Sequence, residues 1–171
     1  MIKAVIFDMD GVLIDTEKYL FRYWKQERRI IMRGKKRVIK VGNVPVKSRE
    51  QIEGIRESGK INTMVLDFVE EHIKAGISTQ EIDDWVRKVT ADNGAICAPY
   101  HYEGFPKSVC TSVNSVICHG IPSKDEILKE GDIINVDVST IYKGYFSDAS
   151  RMFCIGNVSA DKKRLVKTAK E

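Results

Sequence analysis

"GDIINVDVSTIYKGYFSDASRMFCIG", residues 131–156, is two runs rich in Val, Ile, Thr, Tyr and Phe flanking the tetrapeptide YKGY. Those residue types suit a pleated, half-buried surface, so 132–141 and 146–155 read as the two strands of a β-hairpin. Asp137 falls among Asn135, Val136, Val138 and Ser139, inside a strand that must be largely buried, and Asp148 follows in the returning strand. A turn centred on Tyr142 and Lys143 would set the two carboxylates directly opposite, with Cβ atoms about 4.5–5.5 Å apart. A turn shifted by one residue would offset them diagonally. Two like charges opposed on a half-buried sheet repel unless one keeps its proton or a cation lies between them, and a two-metal site suits the geometry. The plainer alternative makes Asp148 a surface acid near the turn and has Asp137 bond a hydroxyl.

Upstream of the hairpin the period is helical. Ser48 and Gln51 form a capping box, and Ile52, Ile55, Leu66, Val69 and Ile73 follow at helical spacing until Gly76. Ser78 with Glu81 repeats the cap, Ile82, Trp85, Val86 and Val89 supply a second apolar face, and Asn93-Gly94 closes it. A loop containing "APYHYEGFP" then leads to a strand near 108–113, a turn at Asn114-Ser115 and a short strand to Cys118. His119 follows in "VICHGIP", where a neighbouring Gly and Pro can hold a neutral imidazole rigidly toward a ligand, or leave it bonding its own turn. His72 sits on a helix of ordinary pattern and reads as solvated. After Ser159, Leu165, Val166 and Ala169 share one side of a helix that has no evident C-cap or partner.

The first 26 residues differ in kind. "KAVIFDMDGVLIDTEKYLF", 3–21, is a strand running into Asp8 and Asp10, a glycine turn and an aromatic-rich helix. Residues 28–49 then carry nine Lys or Arg and no acid, whereas from Glu50 onward 19 acids face 15 bases. The net charge of +4 therefore lies in a short segment, which reads as a solvated linker or as an arm that meets RNA phosphates on a ribosome. No aromatic residue interleaves its charges, which argues against base stacking. No run of apolar residues is long enough to span a membrane, and Asp8 interrupts the N-terminal apolar stretch far short of a signal-peptide core. Cys97, Cys110, Cys118 and Cys154 form no C-x-x-C pair and read as reduced cytoplasmic thiols, mostly buried.

From about Lys47 onward the chain resembles the N-terminal half of type I methionine aminopeptidases. "REQIEGIRESGKIN", "YEGFPKSVCTSVNSVICHGIP" and the hairpin block carry the match, together with the steps of 18 residues from His119 to Asp137 and 11 to Asp148. The resemblance implies an α+β fold, half of a "pita-bread" architecture with an antiparallel sheet and flanking helices, the C-terminal half being absent. It also implies two divalent metal ions, of cobalt, manganese, iron or zinc, and removal of the initiator methionine from nascent polypeptides. By position Asp137 and Asp148 match metal-binding carboxylates, His119 a catalytic histidine near the scissile amide, and Tyr102 and Phe105 aromatics lining the methionine pocket. A thioether packs well on such rings. The family draws three further ligands, a His and two Glu, from its second half, so the 171-residue chain is expected to bind metal weakly, to be nearly inactive and to self-associate through the exposed sheet.

"VIFDMDGVLIDTE" resembles motif I of haloacid dehalogenase superfamily hydrolases, which would make Asp8 a nucleophile and Asp10 a general acid/base with Mg²⁺. "GDIINVD" mimics the later acidic motif of that superfamily at Asp132 and Asp137, but its acids begin and occupy a strand where that motif needs a loop. Alternating strands and helices do not follow residue 26, so a doubly wound sheet cannot be built. The expected organisation is a dehalogenase-like fragment over 1–26, a basic linker over 27–47 and a partial catalytic domain over 48–171. The alternatives are a dehalogenase-type phosphatase or phosphomutase, and a non-catalytic half-domain that binds metal or a partner.

Overall fold

The computed structural model describes residues 39–41 and 44–170. The strand, loop and helix expected over 1–26, with Asp8 and Asp10, lie outside these, as does most of the basic segment. A small antiparallel hairpin, β1 (Ile39–Val41) with β2 (Val44–Val46), belongs to one compact unit. From Lys47 the chain forms a second unit, which holds the remaining elements.

Helix α1 spans Arg49–His72 and starts as its capping box predicts. The Gln51 N–H donates to Ser48 Oγ at 3.2 Å, and the Ser48 N–H donates back to Gln51 Oε1 at 2.7 Å. Its buried face is not the expected stripe at the first turns. Ile52 and Ile55 are exposed, and Gly54, Ser58, Ile61, Asn62, Val65, Leu66 and Val69 face inward. Small residues are needed there because a Cβ on Gly54 would collide with the Tyr145 ring. Helix α2 (Thr79–Asp92) begins at the second capping box, Ser78 with Glu81, and buries Ile82 and Val86, with Trp85 and Val89 packed beside them.

The sheet is built on β5 (Ile133–Tyr142), which pairs along its whole length with β6 (Tyr145–Cys154). The opposite edge of β5 is shared end to end by β3 (Ile96–Cys97) and β4 (Cys110–Val113), and every pairing is antiparallel. Ile134, Val136 and Val138 pack beneath α1 with Ile61, Val65, Leu66, Val69 and Phe153, forming the core. Under the hairpin a ring of hydroxyls joins the helix to the sheet. Ser58 Oγ lies 3.1 Å from Thr140 Oγ1 and 2.9 Å from Ser147 Oγ, and those two are 2.8 Å apart. Asn62 Nδ2 adds a bond to the Val138 carbonyl at 2.6 Å.

Two further expectations need correction, and the expectation of a helix without an apolar partner after Ser159 holds. The strand to Cys118 does not form: β4 ends at Val113, Asn114 turns through a positive φ of 50°, and 115–121 are irregular. Of the four cysteines, all free thiols, only Cys97 is buried, Cys110 is half-buried, and Cys118 and Cys154 are exposed. Helix α3 (Ala160–Lys170) buries none of its residues, and Leu165 is 59% exposed. What fastens α3 is polar: Lys162 Nζ donates to Asn114 Oδ1 at 2.9 Å and to the Gly131 carbonyl at 2.6 Å.

Candidate functional site

Alternation along β5 assigns its side chains to two faces. Val136, Val138 and Thr140 point into the core, which leaves Asn135, Asp137, Ser139 and Ile141 on the other, open face. Pairing with the neighbouring strands orders that face into rows: Cys110–Asp137–Ser150, then Ser139–Asp148, then Ile96–Ile141–Phe146.

The two carboxylates share this face, but they are not directly opposite. Tyr142 pairs with Tyr145, so the turn is Lys143-Gly144 and not Tyr142-Lys143. Both turn residues have positive φ, 50° and 81°, the conformation whose twist matches a two-residue hairpin and which glycine adopts at no steric cost. Asp137 therefore faces Ser150, Asp148 faces Ser139, and the acids are diagonal neighbours, roughly 7 Å apart for such a pair. Ser139 Oγ donates to Asp148 Oδ1 at 2.5 Å.

Cys110 reports the charge of both acids. Burial comes first, followed by the negative charges of Asp137 and Asp148 and the neighbouring Cys118, and together they push its thiol up to about 12. The register agrees: Cys110 pairs with Asp137, and Asp148 lies on the same face one row on. The decoy acid Asp132 stands apart. It lies five residues from Asp137, before β5 begins, where it accepts from Asn114 Nδ2 at 2.7 Å and from the Lys129 N–H at 2.8 Å.

The loop bearing His119 is held against β4 through the neighbouring glycine. The Gly120 carbonyl accepts from the Thr111 N–H at 2.8 Å, and the Gly120 N–H donates to Ser112 Oγ at 3.3 Å, which ties the loop against β4. A Cβ at Gly120 would overlap the Thr111 carbonyl, so only glycine permits this approach. His119 itself has a positive φ of 56°, and its Nε2 is buried with no hydrogen-bond partner among the described residues. A buried imidazole nitrogen without a partner is costly unless something binds there. Tyr102 and Phe105, both half-buried, sit on the loop that joins β3 to β4. His72 is exposed and stacks on Phe68 with ring centroids 4.0 Å apart.

The structure sets Asp137 and Asp148 on one face of the hairpin, ties the loop bearing His119 to β4, and carries Tyr102 and Phe105 on the loop between β3 and β4. Two members of the site escaped the sequence reading. Ser139 was reachable, because a residue two positions from Asp137 must share its face. Cys110 was not, since only the register of β4 on β5 places it beside Asp137.

Two adjacent carboxylates are the hard oxygen donors that divalent cations prefer. Among the described residues no three His, Cys, Asp or Glu side chains converge as a metal-binding group. The chemistry of Asp137 and Asp148 would suit part of a metal donor set.

Residues 53–171 match metallopeptidase family M24. Methionine aminopeptidase A of Synechocystis sp. is 48% identical over 124 residues, covering 72% of this chain and 49% of that protein. The crystal structure of methionine aminopeptidase from Rickettsia prowazekii superposes with a TM-score of 0.71 at 40% identity, over 73% of this chain and 50% of that one. Xaa-Pro dipeptidase from Bacillus anthracis shares the fold at a TM-score of 0.61 and 21% identity. The chain spans about half the length of the methionine aminopeptidases it matches. The helices on an antiparallel sheet are thus one half of a pita-bread fold, and the chain belongs to metallopeptidase family M24.

Proposed function

We propose that this chain supplies the N-terminal half of a methionine aminopeptidase site, acting on polypeptides that begin with methionine. The observation that carries the reading is the diagonal pair Asp137 and Asp148, which share one face of the hairpin beside Cys110. Asp137 and Asp148 would hold two divalent ions, of cobalt, manganese, iron or zinc. Bound there, such ions supply Lewis-acid polarisation of the scissile carbonyl and activation of water. Ser139 orients Asp148 through its hydroxyl. His119, its ring nitrogen buried without a partner, meets the substrate beside the scissile amide. Tyr102 and Phe105 receive the methionine side chain, whose thioether suits aromatic walls.

The same reading treats 1–26 as a dehalogenase-like fragment, 27–47 as a basic linker and 48–171 as the partial catalytic domain. Acting on nascent chains places it in the cytoplasm, and the basic segment supplies phosphate-binding charge for a ribosome contact. Among the described residues no helix is long and apolar enough to cross a membrane. Exposed apolar residues on the open face, Ile96 and Phe146, support self-association of the 171-residue chain.

Calorimetry with Mn²⁺ or Co²⁺ tests the carboxylate pair. The 171-residue polypeptide should bind weakly, with Kd about 0.1–1 mM as for sites with few charged ligands. Asp137→Asn and Asp148→Asn should each abolish binding, and unchanged binding in both variants would sink the site. Methionine release from a Met-Ala-Ser peptide should be slow or undetectable, because two carboxylates alone hold metal loosely. Release at an ordinary enzymatic rate of about 10 per second would show that the donor set is more complete than proposed.

A further inference from the structure

The loop over 98–109 is built against backbone preference. His101 and Glu103 have φ of 64° and 47°, and Gly104 follows at 85°, so three of four consecutive residues are left-handed and two of those carry a Cβ. Its internal backbone hydrogen bonds include His101 N–H to the Phe105 carbonyl at 2.9 Å, Tyr102 N–H to Pro99 at 2.9 Å, Phe105 N–H to Tyr102 at 2.8 Å and a long one from Gly104 N–H to His101 at 3.5 Å. Such a conformation persists only when its surroundings over-determine it.

The Ala98 N–H fixes the start of the loop to the Ser139 carbonyl at 2.9 Å, and a charged pair on α2 holds both of its limbs. The Asp83 side chain is 0% exposed, a buried carboxylate that requires partners. It accepts from the Ser108 N–H at 2.6 Å, from Arg87 Nη2 at 3.0 Å and from Gln80 Nε2 at 3.2 Å. Arg87 spans the loop: its Nε donates to Ser108 Oγ at 3.1 Å on the outgoing limb, and its guanidinium lies 4.8 Å from the Tyr100 ring centroid on the incoming limb. Lys107 adds a bond to Gln80. Both limbs are therefore pinned to one turn of α2, and the stretch between them carries Tyr102 and Phe105.

We propose that Asp83 and Arg87 are positioning residues for the side-chain pocket, fixing the 98–109 loop so that Tyr102 and Phe105 present a preformed wall to an unbranched thioether side chain. The assignment of Tyr102 and Phe105 as that wall rests on the function proposed above, whereas the clamp itself does not. Arginine is required because a planar fork can serve Asp83, Ser108 and Tyr100 together, and a lysine ammonium is a point charge that cannot.

Amide hydrogen exchange by NMR on the 171-residue chain separates the possibilities. Arg87→Lys keeps a cation for Asp83 and removes the fork, while Ser108→Ala removes one limb contact only. In both, exchange at the Tyr102 and Phe105 amides should quicken about tenfold or more, the factor expected for one lost charge-assisted hydrogen bond. The Val86 and Thr90 amides of α2 should be unaffected, and Lys88→Ala, on the exposed side of the same helix, should change neither set. Loop exchange unaltered in both variants would overturn the clamp. So would an equal acceleration through α2, which would make Arg87 an ordinary helix-stabilising residue. In parallel, the affinity for methioninamide with diamagnetic Zn²⁺, followed on the Tyr102 ring resonances, should be about tenfold weaker in Arg87→Lys than in the wild-type chain. Absence of methioninamide binding in the wild type would refute the pocket assignment and leave the exchange result to decide the clamp.

Discussion

Cys110 is the residue through which the candidate site can be probed without metal. Burial and the charges of Asp137 and Asp148 disfavour its thiolate, so it stays protonated at every pH well below about 12. At pH 8 in the presence of EDTA, its alkylation by iodoacetamide should be about a thousandfold slower than that of a thiol titrating at its usual 9.0. Asp137→Asn removes one of the opposing charges, so the thiol should titrate lower and react faster. Mass spectrometry of the Cys110 peptide against time reads both effects, and an unaltered rate in Asp137→Asn would separate Cys110 from the acids. Serine hydroxyls act at the same scale: Ser139 holds Asp148 on the open face, and Ser58 and Ser147 lock the core side of the same hairpin.

At the scale of elements, two kinds of attachment hold this unit together. Helices α1 and α2 are anchored by apolar burial and start at capping boxes, so they are the stable elements. Helix α3 has no buried residue and depends on the bonds of Lys162 to Asn114 and the Gly131 carbonyl, with Asp132 holding Asn114 in place. Burial alone would raise the Asp132 carboxyl; the Asn114 amide and the Lys129 N–H, with the charges of Lys162 and Lys129, outweigh it and hold that carboxyl below its ordinary 3.8. A carboxylate whose folded pKa is depressed contributes stability above its unfolded value, and that contribution is lost as pH falls through the folded value. Acidification below about pH 3.8 should therefore loosen α3 ahead of α1 and α2. Lys162→Met should loosen it already at pH 7. Exchange at the α3 amides checks both expectations, and protection equal to that of α1 in Lys162→Met would show a different anchor.

For the molecule as a whole, the open sheet face is the consequential surface. One end of it is the apolar row Ile96–Ile141–Phe146, with Ile96 66% and Phe146 38% exposed, and the carboxylates lie in the adjoining rows. Apolar area of this kind drives association when nothing covers it. Size-exclusion chromatography of the 171-residue chain should show self-association, and Phe146→Ser should shift the population toward monomer. A monomeric wild-type chain at high concentration would count against that role for the face.

The sequence by itself determined the local architecture and the family. Capping boxes at Ser48 and Ser78, the two β-rich runs of the hairpin and the spacing of His119, Asp137 and Asp148 are encoded within a few residues of one another, where side-chain and backbone chemistry act directly. Only the tertiary structure decided what depends on pairing and close approach. The Lys143-Gly144 turn set the acids on a diagonal, because a one-residue change in turn position alters the cross-strand register. The Tyr145 ring turned α1 to bury Gly54 and Ser58 while Ile52 and Ile55 stay exposed. Cys110 met Asp137, and Asp83 met Ser108, across separations that helix and strand periods do not report. Periodicity shows which face an element buries, but the partner on that face is fixed only when the sheet closes against the helices.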